Sequence, residues 1–258
     1  MSFLIVFSLA AFVVSVLYYC VFALAIARRR NDVADIAWPM GFVLVSLISL
    51  FLTMNISIRY LMLMLLLTIW SARLGVHIFL RNKSKGEDWR YRNWRKKWGK
   101  WWEIKAYLNV FLLQSCLLMI ISVPIIWTAA YAWKPLGLVD YLGVSIWFLG
   151  FLFESIADYQ LFQFKKKASN KNKVLKTGLW RYSRHPNYFG ELLVWWGVFM
   201  IALSAKDGLI SIVGPLTITY LLTSVSGIPM LEKRYEGNAG YKKYQETTSS
   251  LIPLPPKL

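Results

Sequence analysis

The chain has 258 residues, of which 57% belong to the hydrophobic classes and only 17% are Asp, Glu, Lys or Arg. This composition excludes an ordinary soluble domain of this size and is typical of a membrane protein. The formal net charge of +17 would also suit a nucleic-acid-binding protein, so the distribution of the basic residues along the chain decides between the two.

Seven apolar segments predict membrane-spanning helices, since a span requires roughly 20 mostly apolar residues. In chain order they cover about residues 4–26, 36–54, 59–80, 107–130, 140–161, 188–204 and 207–226. The segments 36–54 and 188–204 are the shorter candidates. The remaining residues are too few and too basic for a separate soluble domain, so the sequence predicts an all-α protein with a single membrane domain over residues 1–258.

The basic residues are concentrated in alternate links between these segments. The links after the first, third and fifth segments, together with the tail after the seventh, hold 26 of the 30 Lys and Arg residues. The other links hold only Arg59, Lys134 and Lys206. Because Lys and Arg are enriched in cytoplasmic loops, this predicts seven spans with the N-terminus outside and the C-terminus in the cytoplasm. Topology thus explains the charge and argues against nucleic acid as a partner.

The loop after the third segment interleaves Trp, Tyr, Arg and Lys over residues 89–98. A nucleic-acid-binding surface uses a similar mixture. Beside membrane spans, an interfacial helix is favoured, with its bases among lipid headgroups and its rings at the bilayer boundary. We therefore expect membrane lipids to be partners of this loop.

Ionisable residues occur in or at the ends of the predicted spans, where charge is costly and usually functional. They are Asp35, Arg73, His77, Glu154, Asp158 and Glu191. Glu154 and Asp158 are four residues apart and share a helix face, as do Arg73 and His77. Such pairs are either structural ion-pair partners or parts of a polar cavity, and the spacing leaves both interpretations open.

A dense polar motif covers residues 176–191, at the start of the sixth segment. Pro186 suits the first turn of a helix, whose N-terminus presents free N–H groups to a phosphate or carboxylate. Arg181, Arg184 and His185 stand beside that turn and complete a cradle for an anion. The residues leave open whether the anion belongs to a lipid headgroup or to a nucleotide.

A second motif, over residues 230–253, contains Glu232 among bases and tyrosines. It is either a solvated interfacial helix or a segment whose acid closes over the anion cradle. The sequence has no glycine-rich dinucleotide motif, no phosphate-binding loop and no Cys/His metal spacing. His77 and His185 are its only histidines, so no metal site is predicted.

These motifs carry a family resemblance. The run 178–191 resembles the cofactor-binding signature of membrane sterol reductases and steroid 5α-reductases, and a related Arg-His-Pro-x-Tyr run occurs in isoprenylcysteine and phospholipid methyltransferases. Further runs look like those of bacterial 5α-reductase-like membrane proteins (3-oxo-5α-steroid 4-dehydrogenase-like), namely residues 32–38, 70–75, 81–88, 241–245 and 251–253. The likeness covers nearly the whole chain and favours the reductases.

The resemblance implies an oxidoreductase that takes hydride from NADPH and saturates the C=C bond of a lipophilic enone, such as a 3-oxo-4-ene steroid, which enters from the bilayer. The residues that match cofactor contacts of the family are Asp158, Lys165, Asn187, Glu191 and Tyr235. Arg184, His185 and Tyr188 lie in the same run and are added as cofactor-binding candidates. Residues 1–105 would form the substrate side with spans one to three, and residues 106–258 would carry spans four to seven, the cofactor-binding loops and the tail.

The residues that would activate the carbonyl also follow from the resemblance. In steroid 5α-reductases a Glu in span two and a Tyr in span three hold the ketone oxygen. Here the nearest acid is Asp35, and no tyrosine lies between Leu61 and Leu80. A protonated Asp35, or His77, would supply the hydrogen bond that an enone oxygen requires, so these two are the predicted catalytic residues.

Two other functions compete with the reductase. The first is an S-adenosylmethionine-dependent lipid or isoprenylcysteine methyltransferase, a group that often carries paired glutamates after the last spans, where this chain has Glu232 followed by Lys233. The second is a non-catalytic transporter or lipid-binding membrane protein, with the intramembrane acids as an ion path. The compact loops and the family likeness favour a bacterial inner membrane, or the endoplasmic reticulum for a eukaryotic chain, and no obligate protein partner is evident.

Overall fold

The computed structural model describes residues 1–83, 86–171 and 173–257, and within these ranges the chain is helical and contains no β-strand. The predicted all-α class is therefore confirmed. In chain order the α-helices are α1 (Phe3–Arg28), α2 (Val33–Thr53), α3 (Ile58–Asn82), α4 (Trp89–Trp98), α5 (Trp102–Ala106), α6 (Leu113–Ile121), α7 (Val123–Tyr131), α8 (Leu138–Lys166), α9 (Pro186–Leu203), α10 (Val213–Tyr220), α11 (Ile228–Arg234) and α12 (Ala239–Thr247). Short 3₁₀ turns cover Gly99–Trp101, Ala168–Asn170, Gly178–Arg181 and Gly208–Ile212, and π-helical turns cover Tyr107–Leu112 and Leu221–Val225.

Six helical stretches of the described residues are long and apolar enough to cross a bilayer. They are Phe3–Arg28, Val33–Thr53, Ile58–Asn82, Trp89–Ile121, Leu138–Lys166 and Gly208–Arg234. The chain is therefore an integral multi-pass membrane protein, as its composition predicts. The segment predicted to span over residues 188–204 corresponds to α9, which is 18 residues long and begins with a polar turn, so it is less apolar than these six.

The fourth span differs from the sequence-based prediction. The apolar run predicts a helix over residues 107–130, but the helical stretch that begins at Trp89 ends at Ile121, and α7 starts separately at Val123. Pro124 in the first turn of α7 explains the break, because its ring lacks the N–H that a continuous helix would need. The helical stretch instead extends backwards through the aromatic and basic segment 89–98.

The chain forms two compact units. The first comprises Met1–Gly137 and Ile201–Gly214, and the second comprises Leu138–Met200 and Pro215–Leu258. The division predicted between residues 105 and 106 falls inside the first unit. There α1, α2, α3, α6 and α7 pack against one another around fully buried side chains that include Phe42, Trp70 and Leu118.

In the first unit, the turn between α2 and α3 is fastened to the end of α7 and the residues after it. Arg59 is only 2% exposed and donates hydrogen bonds to the carbonyl oxygens of Lys134 at 2.8 Å and Pro135 at 2.7 Å. Nδ2 of Asn55 donates to the carbonyl oxygen of Ala129 at 2.8 Å. A buried charge is tolerated only where its donors are satisfied, so these carbonyls fix the end of the α2–α3 hairpin.

In the second unit, α8 and α9 approach each other closely through glycines. A Cβ at Gly190 would lie 2.4 Å from the backbone nitrogen of Glu154, and a Cβ at Gly150 would lie 2.6 Å from the carbonyl oxygen of Gly190. Two turns further along α9, a Cβ at Gly197 would lie 2.6 Å from the backbone nitrogen of Trp147. Small residues let membrane helices pack backbone to backbone, so these positions fix the register in which α8 meets the first turn of α9.

The C-terminal tail of the second unit folds back over the loop that precedes α9. The backbone N–H of Arg184 donates to the carbonyl oxygen of Ser249 at 2.8 Å, and the N–H of Leu254 donates to the carbonyl oxygen of Tyr182 at 3.0 Å. The tail therefore lies directly against the polar motif that the sequence singles out.

Candidate functional site

Two consecutive residues of α4 hold Asp35, which lies in the first turn of α2. Oδ2 of Asp35 accepts a hydrogen bond from Nη2 of Arg90 at 2.6 Å, and Oδ1 accepts one from the phenol of Tyr91 at 2.5 Å. In these contacts Asp35 is the acceptor, and Arg90 and Tyr91 are the donors. The part of Asp35 in activating a carbonyl stays a prediction. We call these three residues the Asp35 cluster.

Two carboxylates just before α4 cap this helix and tie it to the segment 29–35. Oδ1 of Asp88 caps α4 by accepting from the backbone N–H of Arg90 at 2.9 Å and from its Nε at 3.0 Å. Oε1 of Glu87 accepts from Nη2 of Arg95 at 2.6 Å and from the backbone N–H of Asn31 at 2.8 Å. Burial alone would raise the pKa of Asp88, but the charge of Arg90 and its hydrogen bonds hold that pKa below its ordinary value.

Two buried polar groups next to the Asp35 cluster have hydrogen-bonding capacity left. Nε2 of Gln114 donates to the phenol oxygen of Tyr91 at 3.5 Å, while Oε1 of Gln114 is buried without a hydrogen-bond partner in the described part of the chain. The phenol of Tyr18 is 1% exposed, feels the charge of Asp35, and also has no such partner among residues 1–83, 86–171 and 173–257. Buried polar groups normally have partners, so this part of the first unit is equipped to bind a polar atom of a ligand.

His77, the second predicted catalytic residue, lies half-buried on α3. It follows Arg73 by one helical turn, and both side chains interact with other groups of the protein. Its part in catalysis stays a prediction.

In the second unit, two consecutive residues of the loop before α9 hold Glu232 of α11. Nε and Nη2 of Arg184 lie 2.9 Å and 2.8 Å from Oε1 of Glu232, and Nε2 of His185 lies 3.2 Å from the same oxygen. The acid of the second motif therefore lies against Arg184 and His185, two of the bases from which the sequence predicts an anion cradle. We call these three residues the Glu232 cluster.

The guanidinium of Arg184 also binds the C-terminal segment. Its Nη1 donates to the carbonyl oxygens of Gln245 at 2.9 Å and Thr248 at 2.8 Å, and Nε2 of Gln245 donates to Oε2 of Glu232 at 3.1 Å. The sequence assigns Arg184 to the cofactor phosphates, whereas its donors here join the loop, α11 and α12. A phosphate bound to this unit would rely on other bases.

Asp158 and Asn187, two further cofactor candidates, are brought together by the glycine-mediated packing of α8 and α9. Nδ2 of Asn187 lies 3.3 Å from Oδ1 of Asp158, whose side chain is buried. Oδ1 of Asn187 is itself buried and lacks a hydrogen-bond partner within the described ranges. This orphaned carbonyl can accept a hydrogen bond from a ligand amide or hydroxyl.

The remaining cofactor candidates are distributed over the same unit. The ring of Tyr188 stacks on that of His185 with centroids 5.6 Å apart, and the ring of Tyr235 stacks on that of Tyr241 at 4.5 Å. Glu191 is half-buried in α9, and Lys165 is exposed in the last turn of α8.

Two recesses open in the second unit. One, of about 480 Å³, is lined by Lys176, Thr177, Arg181, Tyr244, Thr247 and Thr248, and we call it the basic recess. The other, of about 760 Å³, is lined by Glu232, Lys233, Tyr235, Glu236, Lys242 and Gln245, and we call it the mixed recess. No group of three or more His, Cys, Asp or Glu side chains that could hold a metal ion is found among the residues described.

Tyr91 is the candidate functional residue that sequence reasoning missed. Its segment predicts an interfacial helix, and the alternation of rings and bases gives no sign that one tyrosine is buried while its neighbours are exposed or half-buried. The available signal was Asp88, an N-cap residue type placed so that Arg90 and Tyr91 occupy the first turn of a helix.

Comparison with known proteins gives a family and one curated relative. A family model described as "Protein of unknown function (DUF1295)" matches residues 21–248. An uncharacterized protein of Schizosaccharomyces pombe is 28% identical over 209 residues, which cover 71% of this chain. The alignment covers 60% of that relative's length. No solved structure matches.

Proposed function

This chain belongs to the DUF1295 family, and we propose that it is an NADPH-dependent membrane reductase that saturates the C=C bond of a lipophilic enone, such as a 3-oxo-4-ene steroid. One observation carries the proposal. A buried phenol, Tyr91, is held by the carboxyl group of Asp35 beside two polar groups that have hydrogen-bonding capacity to spare. The resemblance of the polar motifs to steroid 5α-reductases supports the same reaction.

The Asp35 cluster suits the activation of a carbonyl. The oxygen of an enone gains negative charge when hydride adds to the β-carbon, and a donor aimed at that oxygen lowers the barrier. Tyr91 has a single O–H, which Asp35 accepts in the structure, and in this proposal that O–H turns from Asp35 to the enone oxygen when substrate binds. The guanidinium of Arg90 lies 5.2 Å from the centroid of the Tyr91 ring and offsets the negative charge of the site. In this proposal the donor that the sequence assigned to Asp35 is Tyr91.

The second unit offers groups that fit a nicotinamide nucleotide. When bound, NADPH supplies the hydride. The orphaned Oδ1 of Asn187 would accept from the carboxamide, and Asp158 would hold Asn187 in that orientation. Tyr235 and the mixed charges of the mixed recess would accommodate the rest of the nucleotide. Glu191, Lys165, Tyr188 and His185 remain cofactor candidates on the strength of the resemblance.

We further infer seven spans, with α9 as the additional one, an external N-terminus and a cytoplasmic C-terminus. The one-sided distribution of Lys and Arg supports this orientation. Compact loops favour a bacterial inner membrane.

The test is calorimetry on the full chain in lipid nanodiscs, with NADPH, NADH and S-adenosylmethionine as separate titrants. We expect NADPH to bind and a 3-oxo-4-ene steroid to stimulate its oxidation. Asn187→Ala should weaken NADPH binding about tenfold, the loss of one hydrogen bond in a buried site. Asn93→Ala, at an exposed position of α4, is the matched control and should bind normally.

Other outcomes separate the competing functions. Binding of S-adenosylmethionine without NADPH would favour a methyltransferase. One contact weighs against that function, because the carboxylate of Glu232 is already paired with Arg184 and His185. Binding of neither cofactor would leave a transporter or lipid-binding protein and overturn the reductase.

A further inference from the structure

The basic recess contains charges of one sign. Among the described residues that line it, the charged side chains are Lys176 and Arg181, both of them bases. The hydroxyl groups of Thr177 and Thr248 share the lining, whereas the hydroxyl of Thr247 donates to the carbonyl oxygen of Lys243 at 3.2 Å. Two cations and two hydroxyl donors around one concave surface are suited to an anion with several oxygens.

The ammonium of Lys176 is held at this surface with donors to spare. Its Nζ donates to the carbonyl oxygen of Gly240 at 3.0 Å and lies 5.6 Å from the centroid of the Tyr244 ring. An ammonium has three N–H donors, and the carbonyl takes one. The Tyr244 phenol is in turn anchored by donating to the carbonyl oxygens of Trp180 and Ser183, which fixes the floor of the recess.

Arg181 ends a turn that is fastened to α8. Gly178 has a φ of +63°, and a Cβ at that position would lie 2.5 Å from the side-chain amide of Gln160. Oε1 of the same Gln160 accepts from the backbone N–H of Leu179 at 3.0 Å, and Nε1 of Trp180 donates to the carbonyl oxygen of Ala157 at 3.1 Å. The turn therefore presents its last residue from a rigid base.

The mixed recess has a different electrostatic character. Glu232 and Glu236 line it together with Lys233 and Lys242, so a dianion placed there would meet two carboxylates. Arg184, the base that the sequence assigned to phosphate, is already bound to Glu232 and to tail carbonyls. Of the two recesses, the basic one is the better site for a strongly charged anion.

We propose that the basic recess binds a phosphomonoester dianion through Lys176, Arg181 and the two threonine hydroxyls. In the reductase proposed above, and resting on that function, the group is the 2′-phosphate that distinguishes NADPH from NADH. A phosphomonoester headgroup of a membrane lipid carries the same chemistry, and the experiment separates the two sources. Because a phosphomonoester loses its second charge below a pH of about 6, binding should weaken there.

The experiment uses the full chain in phosphatidylcholine nanodiscs and titrates adenosine 2′-monophosphate, NADPH and NADH in turn. Lys176→Met and Arg181→Met should each weaken adenosine 2′-monophosphate and NADPH about tenfold and leave NADH unchanged. Lys105→Met, at an exposed position of α5 in the first unit, is the charge-matched control and should change none of the three. We expect Arg181→Met to fold normally, because the contact seen for this guanidinium is with the ring of its neighbour Tyr182.

Separate titrations identify the source of the phosphate and test the proposed reductase function. If NADPH competes with adenosine 2′-monophosphate, the nucleotide assignment stands. If neither dinucleotide binds, but phosphatidic acid in the nanodisc competes with adenosine 2′-monophosphate, the reductase fails while the phosphate site stands with a lipid ligand. If adenosine 2′-monophosphate does not bind, or binds the two Met variants as tightly as the wild type, the proposal is overturned.

Discussion

The two units each contain a carboxylate held by two consecutive residues, an arginine and a ring. In the Asp35 cluster the pair is Arg90 and Tyr91, and in the Glu232 cluster it is Arg184 and His185. The contact between guanidinium and carboxylate has nearly the same length in both, 2.6 Å in the Asp35 cluster and 2.8 Å in the Glu232 cluster.

The surroundings of the two clusters give them different roles. The additional donors of Arg184 go to backbone carbonyls of the tail, so the Glu232 cluster joins three segments of the chain. Around Tyr91 there are buried polar atoms of Tyr18 and Gln114 without hydrogen-bond partners in the described residues. We infer that the Glu232 cluster is mainly a structural tie and the Asp35 cluster is the reactive one.

The comparison is tested most strongly by Tyr91→Phe. This change removes the proposed donor while keeping the ring, so we expect kcat to fall about 10²- to 10⁴-fold, the range for loss of a positioned acid, with little change in KM. Steady-state oxidation of NADPH with a 3-oxo-4-ene steroid measures the effect. Thermal unfolding should shift only slightly, because the ring packing is retained.

The control for this variant is Tyr19→Phe, at a tyrosine that is 61% exposed on α1. It should have wild-type kinetics. If Tyr91→Phe kept more than half of the wild-type kcat, the carbonyl-activating role of the Asp35 cluster would be wrong.

Glu232→Gln should show the opposite profile. It leaves Arg184 partly buried and without its charged partner, which costs about 1.5 to 3 kcal/mol for a hydrogen bond to a charged group. We expect a lower midpoint of thermal unfolding and faster hydrogen exchange over residues 239–257, with a comparatively small loss of kcat. Glu236→Gln, at an exposed neighbour, should change neither. A large kcat loss with unchanged exchange would reverse the assignment of roles.

The sequence predicted what depends on composition and left out what depends on individual contacts. Apolar runs gave the all-α membrane class, because a span must be long and apolar whatever it packs against. They did not predict that the fourth helical stretch ends at Ile121. Ser122 and Pro124 break the helix there, but the run of residues around them remains apolar. The average polarity of the segment 89–98 predicts an interfacial helix, and it gives no sign of the one buried ring, that of Tyr91.

For the candidate site, the polar motifs predict which segments to consider but not which of their side chains contact one another. The pairing of Arg184 with Glu232 joins residues that are 48 positions apart, and that of Asp35 with Tyr91 spans 56. No local pattern encodes such distant pairs. The association of Asp158 with Asn187 likewise depends on the close packing of α8 and α9 at Gly150 and Gly190.

Alkaline pH should loosen the tail of the second unit before the rest of that unit. Burial raises the pKa of Tyr244 above its ordinary range, so the folded unit prefers the neutral phenol. Its contribution to stability is complete below the unfolded pKa of about 10 and is lost as the pH rises through the folded pKa. Hydrogen exchange of residues 239–257, corrected for intrinsic rates, should therefore show loss of protection in strong alkali.

Tyr244→Phe should reduce this alkaline sensitivity and leave the part that belongs to Tyr241 of the same helix, whose pKa burial also raises. It should also cost about 1 to 2 kcal/mol at neutral pH, because the carbonyl oxygens of Trp180 and Ser183 lose their donor. Tyr220→Phe, at a position that is 62% exposed, is the control and should retain the wild-type alkaline profile. An unchanged profile in Tyr244→Phe would assign the sensitivity to another group.

The smallest expected effect concerns the support of the Asp35 cluster. Asp88→Ala removes the N-cap of α4 and should cost about 1 kcal/mol at neutral pH. Because the pKa of Asp88 is held below its ordinary value, its contribution is complete above a pH of about 4, the unfolded pKa, and is lost as the pH falls through the folded pKa. Thermal unfolding of wild type and variant should therefore differ at pH 7 and converge in acid, whereas Asp207→Ala, at a residue that does not cap its helix through its side chain, should show no such convergence. If the difference in thermal unfolding between wild type and Asp88→Ala persisted unchanged in acid, Asp88 would act through packing. Its charge would then not help to position Tyr91.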